Sequence, residues 1–202
     1  RIMQVSNTRR LNIIPFVFSE EWLYYPNIDV GYRYILGTRG NRPIIVIGLN
    51  PSTATPERPD PTIKRVMAIA KRNGYDSFIM LNLYAQRATQ PEDLDEDCNC
   101  VLHTENLKAL RWALAYTKKQ YPNDVVPVWC AWENLIERRR YLARCWNDML
   151  DVLHAEQNEL LCISITKAGH PIHPLYQKNS SQLIKWELLS PIDPKTPHEE
   201  RC

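Results

Sequence analysis

The sequence predicts an α/β protein, a three-layer α/β/α sandwich around a central, mainly parallel four-stranded sheet. Short apolar runs recur at residues 43–49, 77–83, 125–132 and 160–165, the pattern of strands covered on both faces. Amphipathic helical stretches lie between them, so that strand and helix alternate three times. The six glycines and fifteen prolines fall mostly between these segments and mark their ends.

Taken in order, residues 32–36 read as an extra strand beside the first core strand. That core strand holds the continuous run Ile44-Ile45-Val46-Ile47 and ends in the turn Gly48-Leu49-Asn50-Pro51-Ser52. Asp60-Pro61 then opens a helix, with Asp60 as its cap, Pro61 in its first turn and Ile63, Val66, Met67 and Ala70 as its apolar stripe. Asn73-Gly74 stops it. The strand 77–83 follows, then a polar loop over 87–97 and a helix over about 104–119 with Leu107, Leu110 and Leu114 inward. After the third strand, a long helix is expected over 134–155, with Leu142, Cys145, Trp146, Met149 and Leu153 on one face. The fourth strand comes next, and residues 180–189 read as a closing helix.

At 202 residues and 44% hydrophobic, the chain reads as one domain over 1–202, with its core over about 18–190 and a frayed tail over 191–202. Twenty-five basic and 23 acidic residues give a formal charge of +2, which excludes a strongly basic polyanion-binding tail. The six cysteines lack zinc-site spacing and three lie in apolar stretches, so reduced, buried thiols are expected. The apolar run 11–18 is broken by Asn12 and Pro15 and is far short of a membrane span. No membrane association is expected, and the expected location is the cytoplasm.

In such folds ligands bind beyond the carboxyl ends of the strands, and three polar clusters fall there. The first is Asn50-Pro51-Ser52-Thr53, the second Asn82 with Arg87, and the third Gly169-His170-Pro171-Ile172-His173-Pro174. Asn50-Pro51 alone is an ordinary turn pair. Asn82 lies in Phe78-Ile79-Met80-Leu81-Asn82-Leu83, where a buried amide without partners costs on the order of 1–3 kcal/mol. Prolines hold the backbone around His170 and His173 stiff. No acidic residue or cysteine accompanies these two histidines, so neither a metal nor a cofactor is expected. The run Arg138, Arg139, Arg140 and Arg144 interleaves with a helical apolar stripe and reads as an exposed charged face.

The blocks Gly48-Leu49-Asn50-Pro51-Ser52-Thr53-Ala54, Asp60-Pro61-Thr62, 82–89 and 169–176 resemble the signature of a family of uncharacterised bacterial and phage proteins, domain of unknown function 1643. The resemblance runs from about Phe18 to Tyr176. The same blocks resemble, in order and placement, the uracil-DNA glycosylase superfamily. That wider resemblance implies that Asn50 positions the attacking water, that Asn82 reads the polar edge of a base, and that His173 donates a hydrogen bond to a base carbonyl. Val128-Trp129-Cys130-Ala131 resembles its third core strand. Three departures stand out: Cys130 replaces a common glycine, the histidine-proline loop lacks the usual serine, and no stacking aromatic is evident. No cysteine precedes Cys98, so no iron–sulfur cluster is expected.

Breaking an N-glycosidic bond leaves negative charge on the base, which His173 and Asn82 can meet with donors. An asparagine amide orients water but is no general base. Asp60, the nearest carboxylate in sequence, is accounted for as a helix cap. The expected substrate contacts are Gly48, Pro51, Ser52, Thr53, Asn82, Arg87 and His170, with Asn50 and His173 doing the chemistry. The backbone amides of Ser52 and Thr53 could form an anion-binding nest, and Arg87 and Lys167 could touch phosphates. The partner is then a nucleic acid or nucleotide. A pocket that recognises a modified base without chemistry is the second reading, and a structural or partner-binding domain the third.

Overall fold

The alternation of buried side chains along residues 43–48 sets the layers. Residues 19–28, 30–187 and 192 are described in the computed structural model. Strand β3 (Pro43–Gly48) is buried along its whole length. Its Ile44 and Val46 pack with Ile63, Val66 and Ile69 of helix α1 (Pro61–Arg72) on one face. Ile45 and Ile47 pack on the other face against α2 (Cys100–Lys118) and α3 (Arg140–His154). A period-two pattern buried on both sides therefore places helices on both faces of the sheet.

The helix ends follow local rules. Asp60 caps α1, its Oδ1 accepting from the Ile63 N–H at 2.8 Å, and Pro61 occupies the first turn. Asn73 closes α1 with basic Lys71 and Arg72 in the last turn. Asn99 caps α2 by accepting from Val101 and Leu102, which starts that helix earlier than the expected 104. Met67 is exposed and Ile69 takes its place in the stripe.

Among the described residues seven strands form the sheet, where four were expected. The expected core strands are β3, β4 (Ser77–Asn82), β5 (Val126–Cys130) and β6 (Asn158–Cys162), all parallel, in the spatial order second, first, third, fourth. β2 (Ile35–Thr38) pairs antiparallel with β4, not with β3, and carries β1 (Trp22–Tyr25) beyond it. β7 (Ile184–Lys185) pairs antiparallel with β6. Four parallel strands alone would leave two rows of unpaired backbone groups at the edges of β4 and β6, and the antiparallel additions cover both.

Two helix expectations change. Residues 180–187 hold no helix: the stretch carries β7, and Trp186 turns inward against Trp132 and Trp146 at centroid distances of 5.6 and 6.0 Å. Burial of that indole outweighs a weak helical spacing. The expected helix over 134–155 is divided into a 3-10 segment, Glu133–Arg138, and α3, with Arg139 extended between them (φ −134°, ψ 135°). The Arg139 guanidinium donates to the carbonyls of Glu92, Leu94 and Asp95, so this arginine clamps the 91–95 turn instead of lining an open charged face.

Cys130, Cys145 and Cys162 are buried thiols and Cys98 is a half-buried thiol hydrogen-bonded to Cys145, whereas Cys100 is exposed and disulfide-bonded, against the expectation of reduced, buried thiols. Among the described residues no helix is long and apolar enough to cross a membrane. The run 11–18 and, apart from Ile192, the tail 191–202 lie outside the described residues.

Candidate functional site

β3 sends its outgoing chain through α1 to β4 on one side, and β5 sends its chain through α3 to β6 on the other. Connections that diverge in this way open a crevice at the carboxyl ends of the two strands. The Ala131 N–H donates to the Ile47 carbonyl at 2.8 Å, which joins the ends of β5 and β3.

Asn82 is the last residue of β4 and pairs in register with Gly48. It is 1% exposed, and its Nδ2 is buried without a hydrogen-bond partner. Its main-chain carbonyl accepts from Nδ2 of Asn106 at 2.8 Å, a fully buried α2 residue. Gly48 makes room for this amide: a Cβ there would lie 2.8 Å from Asn82 Oδ1 and 2.7 Å from Met80 Cε. The strand therefore ends in a confined polar group with an unsatisfied donor, an arrangement that burial penalises by about 1–3 kcal/mol.

Asn50 uses its amide differently. Its Nδ2 donates to the Pro51 and Ala88 carbonyls at 3.1 and 2.8 Å, while the Ala88 N–H returns a bond to the Pro51 carbonyl. Only Oδ1 is left uncommitted among the described residues. Pro51 is buried, Ser52 half-buried and Thr53 exposed. The N–H groups of Ser52 and Thr53 make no hydrogen bond among the described residues.

Arg87 has its own work. Nη1 donates to the Ser52 carbonyl at 2.6 Å and Nη2 to the Tyr24 hydroxyl at 2.8 Å. Arg33, 3% exposed, donates from Nη1 to the Ala54 carbonyl at 2.8 Å. Burial, and then the neighbouring charge of Arg87, bring the Arg33 pKa down to about 10. Two guanidinium groups thus brace the 52–54 loop from beneath. Arg87, expected as a substrate contact, braces this loop through Nη1 and Nη2, while its Nε is buried without a partner.

The histidine-proline segment is a hairpin. The Gly169 N–H closes a turn on the Thr166 carbonyl, Gly169 itself adopting φ +88°, which costs glycine least. Ile165 bridges Pro171 and the Ile172 N–H donates to Ser164. Lys167 lies exposed at the tip. The 3-10 segment grips the hairpin at three points: Glu133 N–H to the Pro171 carbonyl at 2.8 Å, Thr166 Oγ1 to Asn134 Oδ1 at 2.6 Å, and His170 Nε2 to Glu137 Oε1 at 3.0 Å. His170 is buried in that pairing, so it holds the loop in shape and is not free to bind a ligand through Nε2.

His173 is half-buried, and its Nδ1 accepts from the Leu175 N–H at 3.2 Å. The proton of the neutral ring therefore sits on Nε2. Burial lowers its pKa from 6.5, against opposing pulls from Glu133 and then Asp60. A depressed folded value means that the unfolded chain takes the proton first as acid is added. The stability contributed by the neutral ring is complete above about pH 6.5. It is lost as pH falls from there toward the lower folded value. Urea midpoints of the wild-type protein should fall across that window more than those of His173→Gln; coincident curves would remove His173 as the source.

Sequence reasoning missed Glu133, Arg33 and Asn106. Glu133 lies three residues beyond the end of β5 and is the one non-glycine with positive φ among the described residues, at 60°, a conformation costing on the order of 1–2 kcal/mol. Nothing local in the sequence announces it. Asn106 was legible in principle, since it shares an α2 face with the buried His103, Leu110 and Ala113. A cleft of about 520 Å³ between α2 and α3, with the His103–Asp148 pair and Arg111 in its walls, includes none of the strand-end residues. Among the described residues no group of three or more histidine, cysteine or acidic side chains is placed to hold a metal ion.

Fold and site together define an open α/β protein with its confined polar groups at the carboxyl ends of parallel strands. The chain belongs to the family described as "Protein of unknown function (DUF1643)", whose model matches residues 33–175. No curated protein and no solved structure matches it.

Proposed function

We propose that this chain is a uracil-DNA glycosylase-like protein that binds a nucleobase, carried in nucleic acid or in a nucleotide, in the crevice at the ends of β3 and β5 and hydrolyses its N-glycosidic bond. The observation that supports this reading most is the Asn82 amide, 1% exposed, with its Oδ1 over Gly48 and its Nδ2 unpartnered. A buried donor without a partner is costly unless something else completes it, and the polar edge of a base is a fitting acceptor. His173 Nε2–H adds a second donor for charge that develops on the departing base. Asn50 Oδ1, the uncommitted half of its amide, is suited to accept a hydrogen from water and orient it. Lys167 on the exposed hairpin tip is available for a phosphate. A base inside a duplex would have to be extruded to reach the crevice.

A second reading, recognition of a modified base without chemistry, is favoured by the commitment of Asn50 Nδ2 to the Pro51 and Ala88 carbonyls and by the weakness of an amide as a base.

Labelled single- and double-stranded oligonucleotides carrying uracil, hypoxanthine, xanthine or 5-hydroxymethyluracil test both readings, with binding followed by anisotropy and base release by strand scission. Release by the wild-type protein should drop roughly 100- to 1,000-fold in His173→Ala, the scale of losing one oriented donor, and strongly in Asn50→Ala with binding retained. Binding without release supports the second reading. Affinity no greater than for undamaged oligonucleotide removes both.

A further inference from the structure

We infer that Glu133 is the general base of this site, the carboxylate that receives the proton of the attacking water. The inference rests on the hydrolytic reading above and assigns a role to a residue at the end of β5. Four observations converge on it. Glu133 lies three residues beyond the end of β5, past Ala131, whose N–H is bonded to the Ile47 carbonyl of β3, so it stands at the crevice where the two connections diverge. Its main-chain N–H holds the Pro171 carbonyl at 2.8 Å, which fixes it against the hairpin that carries His173. Of the charged groups acting on His173, it exerts the larger influence, ahead of Asp60. Its side chain is half-buried and makes no hydrogen bond or ion pair among the described residues.

The other acids nearby are committed. Asp60 gives Oδ1 to the start of α1, and Glu137 gives Oε1 to His170. The left-handed backbone at 133 would suit glycine or asparagine better. The independent sign of a ligand is Asn82 at the end of β4, on the far side of β3, whose buried Nδ2 has no partner. An unpartnered donor at the end of β4 and an uncommitted carboxylate beyond β5, on either side of β3, match the two halves of a glycosidic substrate. The base needs donors, and the sugar, which becomes cationic, needs a negative neighbour and a water made nucleophilic.

The step balances as follows. The oxygen of water bonds to the anomeric carbon while the carbon–nitrogen bond breaks. The bonding pair leaves on the base nitrogen, and the proton of the water passes to a Glu133 carboxylate oxygen. Asn82 and His173 hold the anionic base by hydrogen bonds until it takes up a proton, and Glu133 returns its own to solvent.

The test uses the full chain and the oligonucleotides named above under single-turnover conditions. Glu133→Gln keeps the shape and removes the base, so release should fall 100-fold or more with anisotropy unchanged. By NMR the His173 ring should titrate at lower pH in Glu133→Gln, because a negative neighbour is gone. Glu133→Gly, which relieves the left-handed backbone, should be more resistant to urea than wild type and equally inactive. Release by Glu133→Gln at the wild-type rate overturns the assignment and leaves the hydrolytic reading standing. A wild-type protein that binds but releases nothing overturns the assignment and leaves nucleobase recognition. One that neither binds nor releases overturns everything built on the site.

Discussion

Replacing Asn82 by leucine should make the protein more stable by about 1 kcal/mol and reduce affinity for a base-bearing oligonucleotide at least 100-fold. The stability half follows from desolvation. Asn82 is 1% exposed and its Nδ2 has no partner, so the folded state carries the cost of a donor stripped of water. Leucine has nearly the same branched shape, and Met80, whose Cε lies beside Gly48 with the Asn82 amide, offers it an apolar neighbour. The affinity half follows because a site built to hydrogen-bond a polar edge loses far more than an apolar contact when its polar group is removed. Urea denaturation and anisotropy on one preparation measure both. A leucine variant that is less stable than wild type would mean that Asn82 completes an internal network, which is what a purely structural domain requires. Asn106 makes the contrast concrete. Its Nδ2 has two carbonyl partners, those of Asn82 and Leu83, at 2.8 and 3.3 Å, so the same replacement there should destabilise.

The parts of the fold that sequence could reach were those with a strong local period. The four parallel strands were placed within a few residues, because a strand buried on both faces is apolar without interruption. The cap at Asp60 and the stop at Asn73-Gly74 were legible from residue type alone. What escaped was set by partners far along the chain. β1 is four residues long, and Trp22–Tyr25 form a strand only because β2 offers an edge. β7 carries two residues in pairing, held by β6 and by the burial of Trp186. Arg139 interrupts a plausible long helix because its guanidinium reaches carbonyls about forty-five residues earlier in the chain.

The same division holds for the site. Asn50, Asn82 and His173 were singled out by sequence, and the structure places Asn82 at the end of β4, Asn50 on the loop after β3 and His173 on the segment after β6. Their individual duties were not readable. The protonated nitrogen of His173 is decided by the Leu175 N–H, and the free half of the Asn50 amide by the Ala88 carbonyl. Arg87 and His170 looked like ligand contacts because both are polar residues in polar loops. Arg87 is spent on Ser52 and Tyr24, and His170 on Glu137. Such residues fix where the loops sit, which matters because a misplacement of about 1 Å in a reacting group costs on the order of 100-fold in rate.

Gly37→Ala tests how far that positioning depends on the added edge strands, and it should cost about 3 kcal/mol, the upper end of the usual overpacking range. In β2, Gly37 pairs with Leu23 on one side and Ile79 on the other. A Cβ there would lie 2.3 Å from the Phe78 carbonyl oxygen and 2.9 Å from Ile79 Cα. Both are backbone atoms of the central strand β4, and neither can move aside as a flexible side chain would. The strand pair must separate, at roughly 2–4 °C of melting temperature per kcal/mol for a chain of this size. The consequence reaches the site through two bonds. Tyr24 of β1 accepts from Arg87, and Arg33, two residues before β2, donates to Ala54. Loosening β1 and β2 therefore withdraws both braces from the 52–54 loop that follows Asn50. Gly37→Ala should show a lowered midpoint in thermal denaturation together with weaker binding at temperatures where it remains folded. Met67→Ala, an exposed change on α1, should alter neither. A Gly37→Ala protein with wild-type stability would mean that β2 and β4 are farther apart than described.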